Sequence, residues 1–273
     1  MSRHILITAA LPYAHGPAHI GHLVEYVQAD IWARYHKACG RDCRYMCAID
    51  SHGTPIMLKA QKEGVEPEAI IQRFHAEYVR DFDGFDVAFD NFGTTNSEQN
   101  RDLTETFFRR LQEKGHVETR TVRQAFCEAC GMFLPDRYIR GTCPRCGAAD
   151  QYGDNCEACG SAYSPADMTD PRCAQCGQAA AWRESEHYFF LVTAYEEMLR
   201  DWVSPDHLHP HVVAKLQEWF EEGLRDWDFT RDAPYWGFRI PGTEDEYFYV
   251  WFDAPIGYVA STADWCKREG RDL

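Results

Sequence analysis

Two histidines stand where an apolar, strand-like run gives way to a helical pattern. His19 and His22 lie in the stretch PYAHGPAHIGH at 12–22, shortly after the run ILI at 5–7. Three residues apart, their side chains share one face of the first helical turn. A helix N-terminus offers free N–H groups and partial positive charge, so these histidines suit stabilising phosphate oxygens. Gly21 between them allows close approach of a ring. The competing interpretation is a surface helix start with incidental histidines.

An acidic residue follows the second strand-like run. The stretch RYMCAID predicts a strand over 44–50, which places Asp50 at its carboxyl end. In an open parallel sheet, ligands bind beyond the carboxyl ends of the strands. A carboxylate in that position could hold a cation such as an amino group. The competing interpretation is an aspartate that caps a loop.

Alternating strand and helix patterns must position these groups. That order is typical of a parallel α/β sheet. The predicted strands are 4–8 and 44–50, and the predicted helices are 20–40, 67–82 and 97–114, the last ending at Gly115. Further along, 212–227 predicts an amphipathic helix, and the β-prone run YFYVWF predicts a strand over 247–252.

The overall composition restricts the classes of protein. With 273 residues, of which 45% are hydrophobic, the chain can bury a sizeable core. A formal net charge of −15 repels phosphate backbones, so bulk charge does not favour nucleic-acid binding. No apolar run has the length of a membrane span, and the start lacks the pattern of a secretory signal. We expect a cytoplasmic protein with no membrane partner.

Eight of the twelve cysteines form four CxxC pairs between 127 and 176, in a region poor in aliphatic residues. Each pair is followed by glycine, which allows the tight turn of a zinc knuckle. Eight thiolates predict two structural Zn²⁺ sites, because four thiolates leave no position open for water. Sequential pairing leaves twelve and thirteen residues between partner knuckles, whereas nested pairing joins the inner two across nine. Spacing leaves both open. Cys39, Cys43, Cys47 and Cys266 are interpreted as ordinary thiols.

These motifs resemble those of class I aminoacyl-tRNA synthetases, and of the methionyl-tRNA synthetase family in particular. PYAHGPAHIGH is similar to the HIGH signature of the class. The resemblance covers essentially the whole chain, and the stretches that carry it are ALPYAHG (10–16), DSHGTPIMLKAQKEG (50–64), GMFLPDRY (131–138), QYGDNCEACG (151–160), RDAPYWGF (231–238) and YVWFDAPIGY (249–258).

The resemblance implies a role for each matching residue. It implies that His19 and His22 contact ATP and stabilise the transition state of activation, and that Asp50 binds the methionine ammonium. It implies ATP contacts at Pro12 and Gly21, a catalytic role for Arg231, and a methionine pocket of Leu11, Tyr13, Trp251, Ala254, Pro255 and Tyr258. It favours nested zinc pairing, with Cys143, Cys146, Cys156 and Cys159 in one site and Cys127, Cys130, Cys173 and Cys176 in the other.

The implied fold is a Rossmann-like parallel sheet, the incomplete catalytic domain of a class I synthetase, with an inserted zinc-knuckle domain. We expect the first half of the catalytic domain at 1–115, the connective insertion at 116–229 with knuckles at about 126–178, and the start of the second half at 230–273. The implied substrates are methionine, ATP with Mg²⁺, and tRNA(Met).

One family signature is missing from the sequence. The KMSKS motif, whose second lysine helps to bind the ATP phosphates, has no counterpart among the six lysines, and the anticodon-binding domain is absent. We therefore expect an N-terminal fragment that activates methionine weakly or not at all on its own.

Two other functions compete with this interpretation. Another HxGH nucleotidyltransferase would also attack an α-phosphorus, but would explain neither the knuckles nor DAPIGY at 253–258. A non-catalytic zinc-knuckle binding module would need neither ATP nor methionine. Titration with both ligands separates these alternatives.

Overall fold

The first part of the chain is a three-stranded parallel sheet flanked by helices. The computed structural model describes residues 4–273, apart from the side chain of Asp136. The strands lie in the order β1-β2-β3, and β2 is buried almost throughout. The elements are β1 (Ile5–Thr8), α1 (Ile20–Ala38), β2 (Cys43–Ile49), α2 (Thr54–Glu63), α3 (Pro67–Asp83), β3 (Asn91–Thr94) and α4 (Glu98–Glu113).

The parallel sheet expected from the sequence is confirmed. Ile5 pairs with Cys43, and Met46 pairs with Asn91, in parallel register. The helix ends also agree with their sequence signals. The Ser97 hydroxyl caps α4 by accepting a hydrogen bond from the Asn100 N–H at 3.2 Å. Gly40 and Gly115 follow the ends of α1 and α4, and their positive φ lets the chain turn there toward β2 and the segment that begins at Val117.

The middle of the chain is dominated by one long antiparallel pair, which the sequence analysis did not predict. β4 and β9 pair over ten registered positions, from Val117 opposite Phe190 to Phe126 opposite Ala181. The knuckle region lies between these two strands. The elements here are β4 (Val117–Cys127), β5 (Met132–Phe133), β6 (Ile139–Thr142), β7 (Gln151–Tyr152), β8 (Thr169–Cys173), β9 (Ala181–Phe190), α5 (Glu196–Trp202), α6 (Pro210–Glu222) and β10 (Trp227–Asp228).

The last segment returns to the first sheet. The Ser261 hydroxyl donates to the Cys47 carbonyl at 2.7 Å, and the Asn91 side chain donates to the Ser261 carbonyl at 3.0 Å. These buried bonds seat the final helix on β2 and β3. The elements are β11 (Thr230–Asp232), β12 (Glu246–Phe248) and α7 (Val250–Glu269).

The strand predicted over 247–252 is wrong in its second half. β12 ends at Phe248, and α7 begins at Val250. Burial at Asp253, Ile256, Gly257 and Ala260 follows the helical period, so packing on the sheet overrides the β propensity of the aromatic residues.

The helix predicted over 212–227 is shorter than expected. Gly223 takes a positive φ of 84° directly after α6, so the chain leaves the helix there and Trp227 enters β10. Within residues 4–273, the structure contains no helix that is both long and apolar enough to cross a membrane.

Candidate active site

A pocket of about 420 Å³ opens beyond the carboxyl end of β2. Segments distant in sequence meet there: the turn after β1, the start of α2, the knuckle region, and the stretch from β11 to the start of α7. Its walls combine apolar side chains with both signs of charge. The lining residues are Leu11, Tyr13, Asp50, Gly53, Thr54, Pro55, Pro135, Arg137, Asp154, Arg231, Tyr235, Tyr249, Val250 and Trp251.

Asp50 is fixed in this pocket by its backbone. Its N–H donates to the Pro12 carbonyl at 2.8 Å, and its own carbonyl accepts from the Ala14 N–H at 2.8 Å. Its side-chain oxygen Oδ1 is buried and has no hydrogen-bond partner among the described residues. Burial raises the pKa of Asp50 to about 7, and the nearby Asp253 carboxylate adds to the effect. A cationic ligand would satisfy this oxygen.

A second acidic residue of the pocket also has one unpartnered oxygen. Oδ1 of Asp154 is buried without a partner among the described residues, while Oδ2 lies 3.4 Å from the Arg137 guanidinium. Because the Arg137 guanidinium already forms an ion pair with the Asp154 carboxylate, the Asp50 carboxylate attracts a cation more strongly.

The residues expected to bind methionine divide into two groups. Leu11, Tyr13 and Trp251 line the pocket with Asp50, and the Trp251 side chain is 65% exposed there. Ala254, Pro255 and Tyr258 follow along α7 but are not among the lining residues. The Tyr258 hydroxyl lies close to the Leu11 backbone, so Tyr258 lies behind the wall that Leu11 lines.

Tyr13 is held in place by the segment that follows Asp50. Its hydroxyl donates to the His52 carbonyl at 2.8 Å. Gly53 lies next to that bond with φ at 108°, and a Cβ there would come within 2.9 Å of the Tyr13 hydroxyl. Only glycine fits here without moving the ring.

The histidines of the opening motif lie at the N-terminus of α1, outside the pocket lining. His19 is the N-cap residue, and its ring stacks on His22 with a centroid distance of 3.7 Å. Burial lowers the pKa of His22, and proximity to His19 lowers it further. A Cβ at Gly21 would lie 3.1 Å from the His19 ring, so glycine permits the stacked arrangement. Pro12 is buried and contributes its carbonyl to Asp50.

Arg231 brings a positive charge to the pocket. Its guanidinium lies over the Tyr249 ring, 3.9 Å from the centroid, and donates to the Thr230 carbonyl at 2.5 Å. Within the part of the chain that the structure describes, its ion-pair partner is Asp228, whose Oδ1 lies at 3.9 Å. Arg231 therefore shares the pocket with Asp50 without being paired to it.

A buried histidine–aspartate pair, which the sequence analysis did not find, joins the two sides of the pocket. His52 Nδ1 lies 2.7 Å from Asp253 Oδ2, and both residues are fully buried. Burial alone would lower the pKa of His52, but the Asp253 carboxylate outweighs burial and raises that pKa. The pair ties the Asp50 segment to the first turn of α7. No local pattern in the sequence indicates this pair, because its members are 201 positions apart.

A second buried histidine links the inserted hairpin to the Arg231 segment. His187 Nδ1 lies 2.8 Å from Asp228 Oδ2, and His187 Nε2 lies 3.0 Å from Asp232 Oδ2. The Gln124 amide contacts both His187 and Asp232. Burial would lower the pKa of His187, but the hydrogen bonds to the two carboxylates outweigh burial and raise that pKa to about 9.

We expect protonation of His187 to stabilise the fold in a pH-dependent way. The folded protein holds this proton up to about pH 9, whereas an unfolded chain releases it near 6.5. The contribution, on the order of 3 kcal/mol, is complete below about pH 6.5 and is lost as the pH rises through 9. Denaturant titrations should show that wild type has a higher free energy of unfolding than His187→Gln at about pH 6.5, and that this difference shrinks as the pH rises through 9. A constant difference would contradict the assignment.

Two groups of four cysteines are arranged as metal sites. The sulfur atoms within each group lie within 4.8 Å of one another, and closest pairs are 3.4–4.0 Å apart. Four sulfurs at about 2.3 Å from one Zn²⁺ lie roughly 3.8 Å from each other, so the geometry fits a tetrahedral ion and excludes disulfides. The sulfur atoms are grouped as nested pairing predicts, and the groups are Cys127, Cys130, Cys173 and Cys176, and Cys143, Cys146, Cys156 and Cys159.

All four knuckles share one turn geometry. The N–H of the glycine after each pair donates to the carbonyl of the first cysteine, at 2.8–3.1 Å. These four glycines have φ between 65° and 74°, the left-handed region. Backbone N–H groups also point at sulfur, as from Cys130 to Cys127 at 3.4 Å, which favours the thiolate form.

Comparison with known proteins places these features in a family context. The family model described as tRNA synthetases class I (M) matches residues 5–273. A methionine–tRNA ligase of Myxococcus xanthus (strain DK1622) is 54% identical over 272 residues, covering 99% of this chain and 39% of that protein. One of Acidithiobacillus ferrooxidans (strain ATCC 53993 / BNL-5-31) is 52% identical, covering 100% and 40%. The chain thus spans about two fifths of the length of these relatives.

Solved structures give the same fold. The crystal structure of Mycobacterium tuberculosis methionyl-tRNA synthetase bound by methionyl-adenylate matches with a TM-score of 0.71 at 22% sequence identity, and the match covers 95% of this chain and 47% of that chain. At this identity, the likeness concerns the fold.

Proposed function

The chain belongs to the family of class I tRNA synthetases (M), and from this premise we propose that it forms the methionine-activating part of a methionine–tRNA ligase. In the proposed reaction, methionine and ATP give methionyl-adenylate and pyrophosphate, and the methionyl group then passes to tRNA(Met). The observation that carries the proposal is the buried, unpartnered oxygen of Asp50 in an open, partly aromatic pocket.

We propose one orientation for methionine in the pocket. Its ammonium group would donate to Asp50 Oδ1, which supplies the missing hydrogen-bond partner. Its thioether would lie against the aromatic and aliphatic wall of Tyr13, Leu11 and Trp251, a suitable lining for a polarizable sulfur. We propose that Ala254, Pro255 and Tyr258 complete this wall when α7 adjusts to the ligand.

We propose that ATP, with its Mg²⁺, binds across the N-terminus of α1. Pro12 and Gly21 shape the turn, and His19 and His22 donate ring N–H groups to the phosphate oxygens. The methionine carboxylate attacks the α-phosphorus as pyrophosphate leaves. Because this nucleophile is already ionised, the residues act by positioning and by stabilising charge. Arg231 supplies positive charge where the carboxylate meets the α-phosphorus.

Zn²⁺ is the metal we propose for both cysteine groups. All eight ligands are thiolates at tetrahedral spacing, which leaves no position for a reacting water. The metal would supply structural stability, since few aliphatic residues lie between the knuckles. The knuckle region then contributes Pro135, Arg137 and Asp154 to the wall of the methionine pocket.

The boundaries 1–115, 116–229 and 230–273 remain our proposal for the domains. They are supported by β4 beginning at Val117, directly after α4, and by β10 ending at Asp228, directly before β11. A cytoplasmic location follows from the proposed role in charging tRNA.

Equilibrium titration tests the proposal. We expect the chain to bind L-methionine and, more tightly, methionyl sulfamoyl-adenosine, a stable analogue of methionyl-adenylate. Phenylalanine and its adenylate analogue serve as controls, since they keep the amino group but replace the flexible, polarizable thioether with a rigid ring. Absence of binding to either methionine ligand would contradict the proposal and favour the non-catalytic zinc-knuckle module.

Methionine binding should depend on pH through Asp50. The pKa of Asp50 is about 7 without ligand, and only the carboxylate form pairs with an ammonium. Below pH 7, binding must therefore expel a proton, and affinity should rise about tenfold per pH unit before reaching a plateau. Calorimetry near pH 6, in two buffers with different ionisation enthalpies, should detect almost one released proton. An affinity that is constant from about pH 5.5 to 7.5 would contradict this prediction.

A further inference from the structure

One histidine of the inserted hairpin bonds to both sides of the segment that carries Arg231. His187 lies on β9, and its two ring nitrogens contact Asp228 and Asp232 at 2.8 and 3.0 Å. These carboxylates stand three residues before and one residue after Arg231. A single ring thus spans the segment 228–232.

Further bonds complete this attachment. The Ser185 hydroxyl donates to Asp232 Oδ1 at 2.6 Å, and the Tyr188 N–H donates to the Thr230 hydroxyl oxygen at 2.8 Å. Both donors lie on β9, beside His187. The neighbouring strand β4 adds Gln124, which contacts His187 and Asp232. Segment 228–232 is therefore held to the hairpin by polar side chains that are largely buried.

The other face of the same segment belongs to the pocket. Asp232 points to His187, and alternation along β11 turns Arg231 the opposite way. There Arg231 lies over the Tyr249 ring and lines the pocket with Asp50. Asp228 faces both sides, because its Oδ2 contacts His187 while its Oδ1 lies 3.9 Å from the Arg231 guanidinium. We therefore expect any influence of His187 on a ligand to pass through Arg231, by way of its backbone or of Asp228.

We propose that His187 is a positioning residue, which holds Arg231 at the place where the carboxylate of methionine meets the α-phosphate. This inference rests on the proposed function, and it gives the inserted hairpin a part in activation besides carrying the knuckles. The contact with Tyr249 restrains Arg231 from the pocket side, while His187 restrains its backbone from behind. Release of one restraint would let the guanidinium shift by a distance that matters for catalysis.

The test compares two probes on the full chain by equilibrium titration. Binding of L-methionine depends mainly on Asp50, whereas methionyl sulfamoyl-adenosine also carries the negative charge that Arg231 faces. For His187→Ala we expect methionine affinity within about threefold of wild type and analogue affinity lowered on the order of tenfold. Arg231→Ala should lower the analogue affinity at least as much. The double variant should bind like Arg231→Ala alone, because His187 acts through Arg231.

Two further variants separate positioning from general stability. His187→Gln keeps one N–H donor for a carboxylate, and should recover part of the lost analogue affinity. If circular dichroism shows that His187→Ala does not fold, His187→Gln replaces it in the comparison of the two affinities. His36→Ala removes another buried histidine, on α1 beside Arg41, and should leave the ratio of the two affinities unchanged.

Each outcome has one meaning. Wild type that binds neither probe would overturn the proposed function and this inference with it. Wild type that binds both, with independent and additive losses for His187→Ala and Arg231→Ala, would overturn only the positioning role of His187. Equal losses for both probes in His187→Ala would overturn it as well.

Discussion

Replacing Asp50 with asparagine is expected to weaken methionine binding on the order of a hundredfold, or about 3 kcal/mol. Asparagine keeps the shape of the side chain but removes the charge that attracts the ammonium group. Oδ1 of Asp50, a residue of the pocket lining, has no partner among the described residues, and the ammonium would lose its main bond there. Isothermal titration with L-methionine at about pH 8 measures the loss, because Asp50 is then ionised.

The same substitution should not destabilise the unliganded protein. Because burial raises the pKa of Asp50 from 3.8 to about 7, ionisation of this carboxyl group opposes folding increasingly from about pH 4, and the full cost applies above pH 7. Asp50→Asn should therefore increase the free energy of unfolding at about pH 8 by a few kcal/mol, while binding falls. The matched control is Asp154→Asn, since Asp154 lies in the same pocket but is paired with Arg137. A larger loss of methionine affinity in the control would place the ammonium at Asp154.

Removing one ligand from either cysteine group should release one zinc ion, with unequal consequences for the rest of the protein. Cys127 and Cys173 belong to the buried cluster that contacts Met57 and Leu58 on α2, whose first turn lines the methionine pocket. Cys173→Ala should therefore cost several kcal/mol of stability and weaken methionine binding. Cys156→Ala should unfold mainly the inner knuckles, which reach the pocket through Asp154, and should lower methionine affinity less than Cys173→Ala does.

Elemental analysis and thermal unfolding test this difference. Wild type should contain two zinc ions per chain, each cysteine variant one, and the control Cys39→Ala two, because Cys39 lies outside both groups. Fewer than two zinc ions per wild-type chain would contradict the two-site arrangement. Equal loss of methionine affinity in Cys156→Ala and Cys173→Ala would contradict the proposed link through α2.

Local signals in the sequence were sufficient for much of the fold. The parallel sheet, the helix ends at Ser97 and Gly115, and the position of Asp50 beyond β2 all follow from short-range pattern and capping chemistry. The eight knuckle cysteines were equally clear. Spacing did not determine how the knuckles pair, because both sequential and nested pairing were feasible. Only the resemblance favoured the nested arrangement that the structure contains.

Features that depend on distant contacts could not be predicted from the sequence. The strand expected through Trp251 is the start of α7, because burial against the sheet decides its period. The pairs His52–Asp253 and His187–Asp232 join residues 201 and 45 positions apart, and no local pattern indicates such partners. The contribution of Arg137 and Asp154 to the pocket depends likewise on how the knuckles fold back.

The most direct measurement is the calorimetric titration of the unmodified chain with L-methionine and with 4-(methylthio)butanoic acid, its analogue without the amino group. The two ligands share the thioether and the carboxylate, so they differ only in the group assigned to Asp50. We predict measurable binding of L-methionine and, for the analogue, affinity lower on the order of a hundredfold. Equal affinity for the two ligands, or no binding of L-methionine, would contradict the assignment of this pocket.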